Sequence, residues 1–208
     1  MTTDRERHWE QLYRSQPAES VSWFEAAPTM SLALLDRAGL EPQSSVIDVG
    51  GGASRLVDRL LVRGVQHVTV LDIAPAALDL ARARLGDGAA SVTWMAADVL
   101  TASLPPAAYD LWHDRAVFHF LTAAADRARY VAQLTHSLRP NGSVILATFA
   151  EDGPPRCSGL DVVRYAPDSL ARELGPVFEL CESLRIAHST PRGATQSFLY
   201  TRWARATQ

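Results

Sequence analysis

The sequence predicts an α/β protein, with a seven-stranded, mostly parallel sheet, helices on both faces and one antiparallel strand supplied by a C-terminal hairpin. Three observations carry that expectation. Apolar, β-branched runs alternate with helix-period segments between residues 45 and 150. The first apolar run leaves through three consecutive glycines, and two late apolar segments face each other across a short polar turn.

The elements follow in order. "MSLALLDRA" (30–38) spaces apolar residues as a helix does, and Gly39 stops it before Pro42. "SVIDV" (45–49) reads as a buried strand, "ASRLVDRLLVRG" (53–64) as a helix ending at Gly64, and "HVTVLDI" (67–73) as a second strand, which makes a βαβ unit. Pro75 opens the helix "PAALDLARARLG"; "SVTWMAAD" and "AYDLWHD" are strands; "ADRARYVAQLTHSLRPNG" is a helix expected to close at Pro140 and Gly142. "SVILATFA" (143–150) is the fifth strand, and "PDSLARELG" is a helix with Pro167 at its first position. "FELCESLRIAH" and "TQSFLYTRWAR" form the hairpin across "STPRGA", adding an antiparallel edge strand.

Composition narrows the function classes. A chain of 208 residues, 47% hydrophobic and 21% charged, suits one globular domain with a full core. A net charge of −3 with scattered arginines gives no general attraction to nucleic acid or anionic lipid, so neither partner is expected. Two cysteines, Cys157 and Cys181, are too few for a disulfide framework, and no metal is expected. "MTTDRERHWEQLY" is charged where a signal peptide would be apolar, and no apolar run approaches the ~20 residues of a membrane span. The expected protein is cytoplasmic, a monomer or weak homodimer.

The glycine bend is the place to look for a ligand, because ligands of open α/β sheets lie at the carboxyl ends of the strands where strand order reverses. Gly50 and Gly52 can take positive φ and lack a Cβ, so bare backbone can pass beside a ligand. The second strand ends at Asp72, a carboxylate able to accept both hydroxyls of a ribose; taken alone it is equally a helix cap before Pro75. The third strand leaves through Asp98, able to accept from an exocyclic amine, while the Val99 N–H meets a ring nitrogen. Together the three strand ends describe an adenosine. A dinucleotide site wants a third glycine where this chain has Arg55, which disfavours a pyrophosphate.

The order of acid, glycines, second-strand acid and third-strand acid resembles that of class I S-adenosylmethionine-dependent methyltransferases over about residues 44–150, with Ser54 where that family usually has a further glycine. The resemblance implies a Rossmann-like methyltransferase fold and S-adenosyl-L-methionine as cofactor. It places Asp48, Gly50, Gly51 and Gly52 around the methionine part, Asp72 at the ribose, and Asp98 and Val99 at the adenine, with Ile73 and His113 as further cofactor-binding residues. It divides the single domain, 1–208, into an N-terminal helical lid (1–42), a cofactor-binding core (43–150) and an acceptor loop with the C-terminal hairpin (151–208).

"YDLWHDRAVFHFL" (109–121) is where the methyl group should point. It is similar to the Asp-Arg stretch of thiopurine and related thiol methyltransferases and lacks the Asn/Asp-Pro-Pro-aromatic tetrad of many enzymes that methylate planar nitrogen. Asp114 is the candidate to orient or deprotonate an acceptor and Arg115 to hold an anionic one, against the reading of a local ion pair capping the next helix. His113 and His119 are further candidate bases, His119 also a packing residue. The segment "HWEQLYRSQPAESVSWFE" offers Trp9, Tyr13, Trp23 and Phe24 as a lid, and the Gly/Pro-rich loop 151–165 offers Arg156 and Cys157 to the acceptor pocket. The expected reaction is methyl transfer to a small-molecule nucleophile, a thiol or another soft atom. The alternatives are a protein lysine methyltransferase, an NAD(P)-dependent oxidoreductase and a non-catalytic cofactor-binding module.

Overall fold

A computed structural model of the chain describes residues 3–206; Met1, Thr2, Thr207 and Gln208 lie outside the described residues. The strands are β1 (Ser45–Val49), β2 (His67–Asp72), β3 (Val92–Ala96), β4 (Tyr109–Arg115), β5 (Leu138–Phe149), β6 (Arg156–Cys157), β7 (Leu160–Asp161), β8 (Phe178–Ser189) and β9 (Thr195–Arg205). The α-helices are α1 (Asp4–Ser15), α2 (Thr29–Arg37), α3 (Leu56–Val62), α4 (Pro75–Leu85), α5 (Ala124–Ser137) and α6 (Pro167–Leu174). The main sheet runs β3-β2-β1-β4-β5-β9-β8, and β6 pairs with β7 in a separate small hairpin.

Strands β3, β2, β1, β4 and β5 are mutually parallel, and β9 is antiparallel to both its neighbours. The expected antiparallel strand is therefore present but does not form the edge: β9 is inserted between β5 and β8, where its residues 198–201 are buried. Strand order reverses between β1 and β4, so the crevice at the carboxyl ends of these two strands is the switch point of the fold.

Period-2 alternation sends side chains to two apolar layers. Val46, Val68, Val70, Leu111 and Ile145 pack with Leu34 and Leu35 of α2 and Leu56 and Leu60 of α3. Ile47, Trp112, Val144 and Leu146 pack with Tyr130 and Leu134 of α5 and Leu170 and Leu174 of α6. One expected boundary differs. The helix α5 stops at Ser137, and Arg139, Pro140, Asn141 and Gly142 enter β5. Pairing jumps from Tyr109↔Leu138 to Leu111↔Ser143, and the intervening residues bulge, with Asn141 at φ 64°. No helix of the described residues is long and apolar enough to cross a membrane.

Candidate cofactor and acceptor site

The backbone of the glycine bend is locked to the neighbouring strand, because the N–H groups of Gly50 and Gly51 donate to the Leu71 carbonyl at 2.7 and 3.3 Å. Gly50 has φ 67°, and a Cβ there would stand 2.0 Å from Val117 Cγ2. Gly52 has φ 38°, and its Cβ would stand 2.7 Å from Asp72 Oδ2 and 3.4 Å from the Tyr13 hydroxyl. A Cβ on Gly51 would lie 2.6 Å from Asp48 Oδ2. The contacts at 2.0, 2.6 and 2.7 Å are far inside van der Waals separation, so the bend holds two carboxylates against bare backbone.

Asp48 is buried, and its Oδ1 lies 2.7 Å from His113 Nδ1, whose Nε2 lies 2.8 Å from the Ser31 hydroxyl. Its Oδ2 has no partner among the described residues. His113 thus braces Asp48 from beneath the bend, joining α2 to β1 and β4.

Asp72 is also buried, and its Oδ1 accepts the Ala74 N–H at 2.8 Å, the turn that precedes α4. Burial, with repulsion from Asp48 and Glu10, pushes its pKa up to about 7. Asp98 accepts the Leu100 N–H at 2.9 Å through Oδ1 and pairs with Arg5 at 3.1 Å through Oδ2. Asp72 and Asp98, with Ile73 and Val99, line one cavity. A second, smaller cavity shares Tyr13, Trp23, Gly50 and Arg115 with the first and reaches Asp48, Gly51 and His113.

Helix α1 closes the larger cavity. Arg5, Trp9 and Tyr13 recur every four residues and so share one face of the helix; all three line the cavity. Arg5 reaches both Asp98 and Asp126, the latter at 2.9 Å, and Glu10 Oε2 accepts the Ala76 N–H of α4 at 2.9 Å. The Trp9 ring meets Phe120 and Trp23 edge-on, with centroids 4.9 and 5.8 Å apart, and Tyr13 meets Trp23 at 6.4 Å. The Tyr13 phenol is held well above its ordinary pKa by burial and by Asp72. Arg5, Glu10, Glu25, Ser31 and Phe120 had no role in the sequence reading. Only the i, i+4 spacing of Arg5 with Trp9 signalled the first; Glu25 meets its partner from 90 positions away.

The expected acceptor residues divide between the faces of β4. Arg115 lines the cavity; its Nε donates to the Tyr200 hydroxyl at 2.8 Å and its Nη1 to the Trp23 carbonyl at 2.7 Å, while Nη2 lies 3.1 Å from Glu25 in an ion pair but is buried without a hydrogen bond. The guanidinium also lies over the Phe198 ring, 4.7 Å from its centroid. It ties residues 23–25 to the sheet. Arg115→Lys, which keeps one charge but not the fork, is expected to cost about 1–3 kcal/mol of stability, measured by urea unfolding. A second change, Glu25→Gln, should then add less than its own separate cost.

Asp114 is not brought to the cavity. It is fully buried on the opposite face and accepts hydrogen bonds from the Val117 N–H (2.9 Å), the Phe118 N–H (3.1 Å) and the Tyr130 hydroxyl (2.6 Å). Burial raises its pKa to about 6 while Tyr130 and the Val117 N–H oppose that rise. The carboxylate caps the 3₁₀ turn at residues 118–120, but without the ion pair to Arg115 that the capping alternative expected, Arg115 being paired with Glu25. Asp114→Ala would strand three buried donors and is expected to lower stability by about 3–5 kcal/mol, visible as a lower urea midpoint. His119 is equally internal: its Nδ1 accepts the Phe149 N–H at 3.1 Å, and burial with nearby Arg115 lowers its pKa to about 3.

The loop after β5 does reach the site. Cys157, buried in the small β6–β7 hairpin, lines the cavity, and burial raises the pKa of its thiol. Arg156 is exposed and pairs with Asp161 at 3.0 Å, away from it.

A family model described as a methyltransferase domain matches residues 46–142. The malonyl-[acyl-carrier protein] O-methyltransferase of Anoxybacillus flavithermus is 32% identical over 123 residues, 59% of this chain and 45% of that protein. The chain spans about half the length of the first curated relatives it matches. Among solved structures, one described as converting a disulfide bond into a thioacetal group during echinomycin biosynthesis superposes with a TM-score of 0.77 at 17% identity, covering 97% of this chain and 92% of that one. The 1,6-didemethyltoxoflavin-N1-methyltransferase of Burkholderia thailandensis, solved with its substrate and S-adenosylhomocysteine, superposes with a TM-score of 0.69 at 24% identity, covering 86% and 78%.

Proposed function

We propose, from the match of residues 46–142 to a methyltransferase domain, that the protein transfers a methyl group from S-adenosyl-L-methionine to a small-molecule nucleophile. The observation that carries the reading is the placement of Asp72 and Asp98 on one closed cavity beside the glycine bend, at the switch point of the sheet. The residues present fit the cofactor: the cradle at Gly51 and Gly52 has no room for a Cβ, and Asp48 keeps one buried oxygen without a partner.

In this reading Asp72 accepts the ribose hydroxyls, with Ile73 packed beside them. Asp98 and the Val99 N–H read the adenine edge, and Arg5 shares the Asp98 carboxylate. The backbone of Gly50 and Gly51 follows the methionine part, and Asp48, held by His113 and Ser31, faces it. Bound there, S-adenosylmethionine supplies an electrophilic methyl group on a sulfonium. The chain's own task is alignment: Trp9, Tyr13 and Trp23 exclude water and fix the approach of an acceptor, which is where most of the acceleration of an in-line displacement arises. Arg115 acts as a positioning residue by holding the Trp23–Glu25 segment.

The test is transfer of labelled methyl groups to a panel of small thiols, thioethers, amines and phenols, in parallel with cell-lysate proteins. Turnover on a small molecule is expected. Labelling of lysate proteins alone would overturn the small-molecule assignment in favour of a protein lysine methyltransferase.

A further inference from the structure

We propose that the acceptor is a neutral nucleophile that becomes a cation on methylation, a tertiary amine, an aza-aromatic nitrogen or a thioether, held against the rings of Trp9, Trp23 and Phe120. The proposal names the substrate class of the site above and rests on the methyltransferase reading.

The first argument is the nature of the wall. The strands β3, β2, β1 and β4 deliver Asp98, Asp72, Gly50 and Arg115 in that order across the sheet, so the cavity has a nucleoside end and an Arg115 end. Trp23, whose carbonyl is bonded to Arg115, marks the latter. There Trp9, Trp23 and Phe120 all line the cavity, Trp9 packing edge-on against the other two, and give that end an aromatic wall of the kind cations favour.

The second argument is the charge balance. Arg5 is matched by two carboxylates, Asp98 and Asp126, and Arg115 by Glu25 together with Tyr200 and the Trp23 carbonyl. The charge of each arginine is thus already matched, although Arg115 Nη2 keeps no hydrogen bond, and neither offers an unpaired positive charge to a carboxylate, phosphate or thiolate acceptor.

The third argument is that the proton acceptors near the Arg115 end are already held: Glu25 is paired with Arg115 at 3.1 Å and lies 3.7 Å from His188, whose Nε2 is bonded to the Ser22 carbonyl. The Tyr13 phenol and Cys157 thiol lie there but keep their protons through burial. Asp114 is on the other face of the sheet, His119 accepts the Phe149 N–H, and His113 is held between Asp48 and Ser31. Asp72 belongs to β2, with β1 between it and β4.

An acceptor such as a phenol or a thiol must shed a proton; a tertiary amine or thioether need not. The acceptor's lone pair forms the new bond to the methyl carbon while the carbon–sulfur bond of the donor breaks and its electron pair returns to sulfur. The positive charge moves from the donor sulfur to the acceptor atom, and no proton leaves. An aromatic wall suits both ends of that displacement, because the charge is shifted rather than created.

The direct test is calorimetric titration of protein saturated with S-adenosylhomocysteine, using choline and its uncharged carbon isostere, 3,3-dimethylbutan-1-ol. Choline is expected to bind about tenfold more tightly. Trp23→Leu should shrink the preference to about twofold or less and Trp23→Phe should retain most of it, with Trp9→Leu as an independent repeat should Trp23→Leu not fold. Equal binding, tighter binding of the alcohol, binding of neither, or a preference unchanged in the leucine variants would overturn the proposal. Failure of S-adenosylhomocysteine itself to bind would instead overturn the methyltransferase reading on which it rests.

Discussion

Gly52→Val is expected to weaken S-adenosylhomocysteine binding by at least about a hundredfold while leaving a folded, less stable protein. The added Cβ would meet Asp72 Oδ2 at 2.7 Å and the Ala77 Cβ at 3.2 Å, and a β-branched residue resists the φ of 38° found there. Asp72 or the backbone must give way, and the Tyr13 hydroxyl on the same side moves with it. Strain of this kind costs about 1–3 kcal/mol, which lowers the unfolding midpoint without preventing folding. Calorimetry on protein whose circular dichroism is native separates the two effects. Near-normal affinity would mean that the bend does not shape the ligand site.

The second large effect concerns pH. The folded-state pKa of Asp72, about 7, lies above the ordinary carboxylate value near 3.9. Between those values the folded protein binds more protons than the unfolded chain. The contribution of Asp72 to stability is therefore greatest below pH 4, declines as pH rises towards 7 and is constant above it. Asp72→Asn removes this penalty, so the ligand-free variant should match the wild type near pH 4 and exceed it by about 2–4 kcal/mol at pH 8. Ligand affinity should run the other way. The ionised carboxylate is the form that accepts two ribose hydroxyls, so wild-type affinity should rise through pH 7. The asparagine variant should bind about ten- to hundredfold more weakly at pH 8 and respond little to pH. Thermal unfolding and titration across pH 5–8 test both; a variant less stable than wild type at pH 8 would return Asp72 to a helix-capping role.

That Asp72 is destabilising where it stands explains why it was legible in the sequence. A carboxylate at the end of an apolar strand has no use in the core, and the same holds for Asp48 and for Asp98 just beyond β3. Asp114 satisfied the same pattern and faces the other way, for a reason that period 2 contains. It pairs in register with Val49, shares a face with Trp112, and points to the layer holding Tyr130. His113, paired in register with Asp48, and Arg115 take the alternate face.

Which face looks into a ligand site depends on tertiary packing, and the strand alone does not carry that. The clasp of Arg5 on Asp98 and Asp126 joins residues 93 and 121 positions apart, and the Arg115–Glu25 pair is as remote. Local periodicity has no access to such partners. The start of β5 was obscured for a different reason: Pro140 and Gly142 read as a helix stop, yet the backbone had already turned to strand at Leu138 and absorbed them in a bulge.

The central claim is that the cavity closed by α1 takes an adenosine-bearing sulfur cofactor and not a dinucleotide. Calorimetric titration of the wild-type protein with S-adenosylhomocysteine and, separately, with NAD tests it most directly. The account predicts one saturable site for S-adenosylhomocysteine, lost in Gly52→Val and weakened in Asp72→Asn, with no binding of NAD; saturable binding of NAD without binding of S-adenosylhomocysteine would contradict it.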